Sequence, residues 1–231
     1  MFDAMSTTAV SLKNVHLSLP SRAGTVDILR GINLAVRPGE ALGIVGPSGS
    51  GKTTLLMVIA GLEQVSRGEV VVAGQRLTGK NEDELAAFRR DHVGIVFQSF
   101  HLIPTMTALE NVAVPLEFRG ARDAMGVAEE KLKRVGLGHR LSHYPGQLSG
   151  GEQQRVAIAR ALASGAKIII ADEPTGNLDH VTGEQIIRLL FDVKQQDGAS
   201  LILVTHDRSL AERCDRMAEV LDGRVVAGAE P

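Results

Sequence analysis

"GPSGSGKTT", residues 46–54, decides how this chain is read. It matches G-x-x-x-x-G-K-[ST] at every fixed position. The short apolar run before it, "EALGIVG" (40–46), predicts a strand. "KTTLLMVIAGL" (52–62) predicts a helix, with Leu55, Leu56, Ile59 and Ala60 at helical spacing. A strand, a glycine turn and a helix in that order make a phosphate cradle. Gly46, Gly49 and Gly51 let the backbone curl without Cβ clashes. Together with Pro47, Ser48, Ser50 and Thr54 they form a loop whose N–H groups, at a helix N-terminus, suit an anion. Lys52 places a cation against β- and γ-phosphates, and the Thr53 hydroxyl is a hard oxygen ligand suited to Mg²⁺.

Three further runs end on polar groups. "IIIADEP" (168–174) is apolar along its length and reads as a strand buried on both faces. Ligands in open α/β sheets sit beyond the carboxyl ends of strands, which places Asp172 and Glu173 with the phosphate loop. Asp172 suits a Mg²⁺ role, and Glu173 is placed to polarise a water for in-line attack on a γ-phosphate. "LVTHD" (203–207) repeats the pattern and ends on His206, an imaginable contact for the γ-phosphate or the water. Gln98, in "GIVFQSF" (94–100), follows an apolar run and offers an amide oxygen to a metal or a water.

The rest of the chain fits one α/β architecture. Residues 8–19 and 26–37 read as strands, 68–77 as a hairpin around Ala73-Gly74, and 218–228 as a hairpin turning at Asp222-Gly223. Residues 82–91, 122–136, 152–164 and 181–196 read as helices. Alternating strands and helices imply a parallel sheet covered on both faces, with an extra antiparallel sheet near the N-terminus. The helix-rich middle, about 82–162, reads as a subdomain inserted into a core of about 1–81 and 163–231, within a single domain of 231 residues. A balance of 25 basic against 27 acidic residues gives no field directed at nucleic acid. Cys214, the single cysteine, excludes an internal disulfide. The opening MFDAMSTTAV lacks a basic and apolar targeting pattern. No apolar run approaches the ~18–20 residues of a membrane span, so any membrane role is expected to come through a partner.

"LSGGEQQR" (148–155) is a second pair of glycines opening a helix, hence a second anion-binding arrangement. The phosphate loop, Gln98, "LSGGE", "IIIADEP", "GNLD" (176–179) and His206, in that order, resemble the ATP-binding cassette (ABC) ATPases over essentially the whole chain. The resemblance implies a P-loop NTPase fold of the RecA-like kind, with the N-terminal antiparallel β subdomain and inserted helical subdomain read above. It also explains the second loop. In this family two cassettes pack head to tail, so that Ser149, Gly150, Gly151 and Glu152 would hold ATP bound to the partner. Asp179 would cross the same interface. The implied catalytic set is Glu173, His206 and Lys52, and the implied metal set is Thr53, Gln98 and Asp172. ATP and Mg²⁺ are the implied cofactors, and a second copy of the chain is the implied first partner.

"FQSFHLIPTMTALENVAVPL" (97–116) and "ADEPTGNLD" (171–179) resemble the bacterial group of lipoprotein-releasing, macrolide-exporting and cell-division cassettes. That group implies an integral membrane permease as second partner and a place at the cytoplasmic face of the inner membrane. Phe100, Leu102, Ile103, Met106 and Phe118 are apolar side chains suited either to the subdomain core or to a groove for a partner helix. Two other readings stay open: an importer ATPase, which often adds a C-terminal domain, and a soluble cassette acting on nucleic acid, whose relatives usually carry two cassettes or zinc-binding cysteines. One departure stands out. Leu19 lies where the family usually stacks adenine on an aromatic, and no Tyr, Trp or Phe occurs between residues 3 and 87.

Overall fold

The computed structural model describes residues 8–21 and 24–230. The opening segment, where the sequence shows no targeting pattern, falls mostly outside the described residues. In chain order the elements are β1 (Val10–Ser21), β2 (Gly24–Val36), β3 (Ala41–Val45), α1 (Lys52–Ile59), β4 (Arg67–Val72), β5 (Gln75–Arg76) and α2 (Glu82–His92). There follow β6 (Val93–Phe97), α3 (Ala108–Phe118), α4 (Ala124–Arg134), α5 (Gly150–Ala163), β7 (Ile168–Asp172) and α6 (His180–Asp197). The chain closes with β8 (Ser200–Val204), α7 (Arg208–Ala211), β9 (Arg216–Leu221) and β10 (Arg224–Ala227). Two compact units divide it: Met1–Arg89 with Gly198–Pro231, and Arg90–Asp197.

In the first unit β2, β1, β4 and β5 form an antiparallel sheet in that order. β3 lies parallel to β8 on one side and to β9 on the other, and β10 turns back antiparallel on β9. All five residues of β3 and all five of β8 are buried, which is why neither alternates polar with apolar. Each fully buried Leu or Ile there contributes about 1.5–3 kcal/mol. Glu40 and Arg216 pair at 2.7 Å where β3 and β9 begin. The same carboxylate accepts from Arg37 N–H, and the guanidinium also donates to the Ala35 and Gly228 carbonyls. Both charges are thereby hydrogen-bonded, as burial demands.

The second unit pairs β6 parallel to β7 and packs α3, α4 and α5 on one another. The division at 89/90 and 197/198 differs from the 82–162 boundaries read from the sequence. That stretch also holds β6 as well as helices, because Val93, Gly94 and Val96 are buried in the strand pair. Gly94 permits this: a β-carbon there would collide with the Ala161 carbonyl of α5. The sequence reading had no helix at 108–118. It is set by a capping box, in which Thr107 accepts from Glu110 N–H and Glu110 accepts from Thr107 N–H. Pro115 removes one of its hydrogen bonds, and the helix stops three residues later at Phe118.

Candidate functional site

The first unit builds a phosphate cradle. β3 runs straight into Gly46, and the loop glycines Gly46, Gly49 and Gly51 adopt φ of 151°, 77° and 101°. Gly51 also needs its bareness, because a β-carbon would sit 3.1 Å from the Ile28 carbonyl of β2. Ser50, buried, ties the loop down: its N–H donates to the Pro47 carbonyl and its own carbonyl accepts from Gly223 N–H. Lys52 lies across the loop, with Nζ 2.9 Å from both the Gly46 and Pro47 carbonyls. The helices α3, α4, α5 and α7 begin with side-chain caps, whereas α1 has none. The first N–H groups of α1 therefore point at the loop with no side chain of the cap residue to satisfy them, the arrangement that suits an anion. β8 runs parallel to β3 with Val204 opposite Ile44, and Thr205 N–H donates to the Ile44 carbonyl. His206 therefore emerges, exposed, at the strand end from which the loop springs.

In the second unit Phe97 of β6 stands opposite Asp172 of β7. This register brings Gln98 and Asp172 to one strand edge. Gln98 is held from both ends of its residue. Its Nε2 lies 3.3 Å from Asn177 Oδ1, and its backbone carbonyl accepts from Asn177 Nδ2 at 3.0 Å. With the amide nitrogen so engaged, the amide oxygen is the atom suited to a metal or water. Glu173 follows in a left-handed conformation, φ 46°, and its carbonyl accepts from Gly176 N–H. A non-glycine residue there costs about 1–3 kcal/mol and persists only where its surroundings hold it.

Ser149, Gly150, Gly151 and Glu152 form the start of α5. Ser149 caps the helix, and Glu152 reaches back to Ser149 N–H at 2.8 Å and to its hydroxyl at 2.9 Å. These bonds from Ser149, with the Arg140 guanidinium at 3.0 Å, hold the Glu152 carboxyl below its ordinary pKa, partial burial opposing them. Asp179 caps α6 in the same manner. It accepts from the Thr182 hydroxyl at 2.6 Å and from Thr182 N–H at 3.0 Å, which lowers its pKa as well. The two helix starts touch: a β-carbon on Gly150 would meet Leu178 Cδ2 at 3.2 Å.

A family model described as ABC transporter matches residues 29–176. The chain belongs to the ABC transporter family. It is 50% identical over 218 residues to an uncharacterised ABC transporter ATP-binding protein, YbbA, of Escherichia coli K12, covering 94% of this chain and 96% of that protein. It is 45% identical to the lipoprotein-releasing system ATP-binding protein LolD of Hahella chejuensis, covering 98% and 99%. The macrolide export ATP-binding/permease protein MacB of Rhodopseudomonas palustris is 44% identical over 96% of this chain, which spans 34% of that longer protein. Among solved structures, the dimeric post-hydrolysis state of the cassette MJ0796 bound to ADP and Pi superposes with a TM-score of 0.87 at 43% identity, covering 94% and 97%. The protein is an ABC ATPase of the group that includes the lipoprotein-releasing and macrolide cassettes.

Two residues of this cassette that the sequence reading passed over hold the loop after Gln98. Phe100 and His101 are consecutive residues at φ 59° and 48°. Arg160 of α5 donates to both of their carbonyls, at 2.8 and 2.6 Å, and burial pushes its pKa down. Asn111 of α3, buried, accepts from Ile103 N–H and donates to the Ile103, Met106 and Thr107 carbonyls. An asparagine beside the apolar positions of A-L-E-N-V-A-V was the available signal. Of the apolar side chains in this stretch, Phe100, Leu102 and Met106 are half-buried, Ile103 is exposed, and Phe118 is 78% exposed. None of the five is simply core.

Leu19 is exposed and stands opposite Val26 in the β1–β2 hairpin. One pair further in on the same face, Leu17 stands opposite Leu29, whose Cδ2 lies beside Gly51. Leu19 and Val26 thus extend, in aliphatic form, the hairpin face that abuts the phosphate loop.

Among the described residues no helix is long and apolar enough to cross a membrane. No group of three or more His, Cys, Asp or Glu forms a metal cage among them either. Gln98 and Asp172 at one strand edge of the second unit, and Thr53 at the start of α1 in the first, each carry an oxygen of the kind that Mg²⁺ takes.

Proposed function

We propose that the protein is the ATP-hydrolysing subunit of a bacterial export or mechanotransmission complex, driving an integral membrane permease by ATP-dependent head-to-tail pairing of two copies. It would lie at the cytoplasmic face of the inner membrane, held there by the permease. The observation that carries this reading is the end-to-end correspondence with the ATP-binding protein of a lipoprotein-releasing system, 98% of this chain against 99% of that one.

In this reading the loop from Gly46 to Thr54 wraps the phosphates, and Lys52 neutralises the β- and γ-oxygens. Thr53, Asp172 and Gln98 would hold Mg²⁺, which supplies charge neutralisation on the phosphates when bound. Glu173 accepts a proton from water as the water oxygen attacks the γ-phosphorus, and ADP leaves with the bridging oxygen. His206 orients the γ-phosphate. Ser149, Gly150 and Gly151 close on ATP held by the second copy, and the α5 N-terminus adds a favourable dipole of ~0.3–1 kcal/mol. ATP binds the closed pair better than the open one and so shifts the population toward closure. Hydrolysis removes that preference.

The test is capture from host membranes with tagged Glu173→Gln and ATP-Mg²⁺. A polytopic membrane protein recovered at one or two cassettes per permease supports the reading. Recovery of only soluble protein or RNA overturns the membrane role.

A further inference from the structure

The geometry points to Gln154 as a positioning residue for Glu173. The inference rests on the reading of Glu173 as the group that activates water. Gln154 lies in α5, five residues beyond the Ser149 cap, and its side chain is 0% exposed. Its Nε2 donates to the Pro174 carbonyl at 2.7 Å. A fully buried amide given to one backbone carbonyl is an expensive choice for a helix whose neighbouring positions, Val156 to Ala159, are all apolar and buried.

The carbonyl it chooses belongs to the residue after Glu173. Glu173 is left-handed, φ 46°, a conformation that reverts unless held. Three constraints hold it. β7 fixes the chain up to Asp172. Gly176 N–H closes the turn on the Glu173 carbonyl at 3.0 Å. Pro174, buried, has its φ locked by its ring, and the Gly176 bond restrains the Glu173 carbonyl and with it Glu173 ψ, so the next torsion free to turn is Pro174 ψ. The Gln154 bond fixes the peptide plane that this torsion rotates. Removing it frees the Pro174–Thr175 peptide plane, loosens the Gly176 bond that closes the turn on the Glu173 carbonyl, and so lets the Glu173 side chain shift. Gln154 shares α5 with Gly150 and Gly151, so one helix carries both the glycine pair and the donor to the turn after Glu173.

Gln154→Met keeps the length and removes the donor. The kcat of ATP hydrolysis is expected to fall about tenfold or more, since misplacement of a reacting group by an ångström costs up to about a hundredfold. The KM for ATP is expected to stay within twofold. A structural role would not give that split, nor would it spare dimerisation. The ATP concentration at half-maximal dimer in Gln154→Met/Glu173→Gln should therefore match that of Glu173→Gln within twofold. An unchanged kcat for Gln154→Met, beside an inactive Glu173→Gln, overturns the positioning role alone. So does a weakened dimer, or a chain that no longer unfolds cooperatively, because either makes Gln154 structural. Near-normal turnover by Glu173→Gln itself overturns the underlying reading instead.

Discussion

Gly151, at the start of α5, lies so close to the Cγ2 methyl of Thr182 on α6 that a β-carbon on the glycine would collide with it. Thr182 cannot rotate away cheaply, because its hydroxyl is bonded to Asp179 at 2.6 Å. The second glycine of the LSGG run thus packs two helix starts together as well as baring backbone N–H groups. Gly151→Ala is expected to break the Thr182–Asp179 bond and lower stability by about 1–3 kcal/mol. Thr182→Ser keeps the hydroxyl and deletes the methyl. Adding it to Gly151→Ala should restore most of the lost Tm in thermal unfolding. A double variant no more stable than Gly151→Ala would place the strain elsewhere.

Glu152 carries a pH dependence whose sign follows from its bonds. Hydrogen bonds from Ser149, with Arg140 beside it, depress its folded-state pKa. Its stabilising contribution is therefore complete above the ordinary carboxylate range and is lost as pH falls through the depressed folded value, from about pH 5 downward. Glu152→Gln keeps the capping geometry but does not titrate. Urea unfolding of the variant should show a shallower loss of stability than the parent between about pH 5 and 3. Parallel curves would mean that the carboxylate is not linked to folding.

The base site should discriminate weakly. Leu19 and Val26 offer an aliphatic face, and an aromatic stack is worth about 1–3 kcal/mol per base. ATP and GTP are expected to bind within about tenfold of each other. Leu19→Tyr should tighten ATP by about fivefold, the low end of that range. Equilibrium titration with fluorescent nucleotides checks both, and a hundredfold preference for ATP in the parent chain would contradict the argument.

Arg160 offers a fourth test. It holds the carbonyls of two consecutive left-handed residues, Phe100 and His101, just beyond Gln98. Arg160→Gln should release that loop and show faster amide hydrogen exchange at residues 99–103 than in the parent. Unchanged exchange would mean that Asn111 alone holds the loop.

Much of this was legible in the sequence. The phosphate loop and the continuous apolar strands "ALGIV", "IIIAD" and "SLILV" follow from local chemistry, glycine spacing and burial on both faces, whereas α5 begins at Gly150, two residues before the 152 read from the sequence, because Ser149 and Glu152 form a capping box. β6 was obscured because "VGIVF" is short and follows a helix without a turn, so that only its pairing with β7 reveals it. The α3 start could have been read from the T-x-x-E of "TALE", but the run of loop residues before it and Pro115 within it hid the period. The roles of Arg160 and Gln154 were beyond reach. Each bonds a backbone carbonyl 20 to 60 residues away, and nothing in a helical pattern reports which carbonyls will need a donor.

ATP is expected to join two copies of this chain through Ser149, Gly150 and Gly151. Sedimentation velocity of Glu173→Gln measures it most directly. The expected result is a monomer without nucleotide or with ADP, and a dimer with ATP-Mg²⁺ that a further Ser149→Arg change abolishes. A chain that stays monomeric with saturating ATP, or dimerises as well after Ser149→Arg, would contradict it.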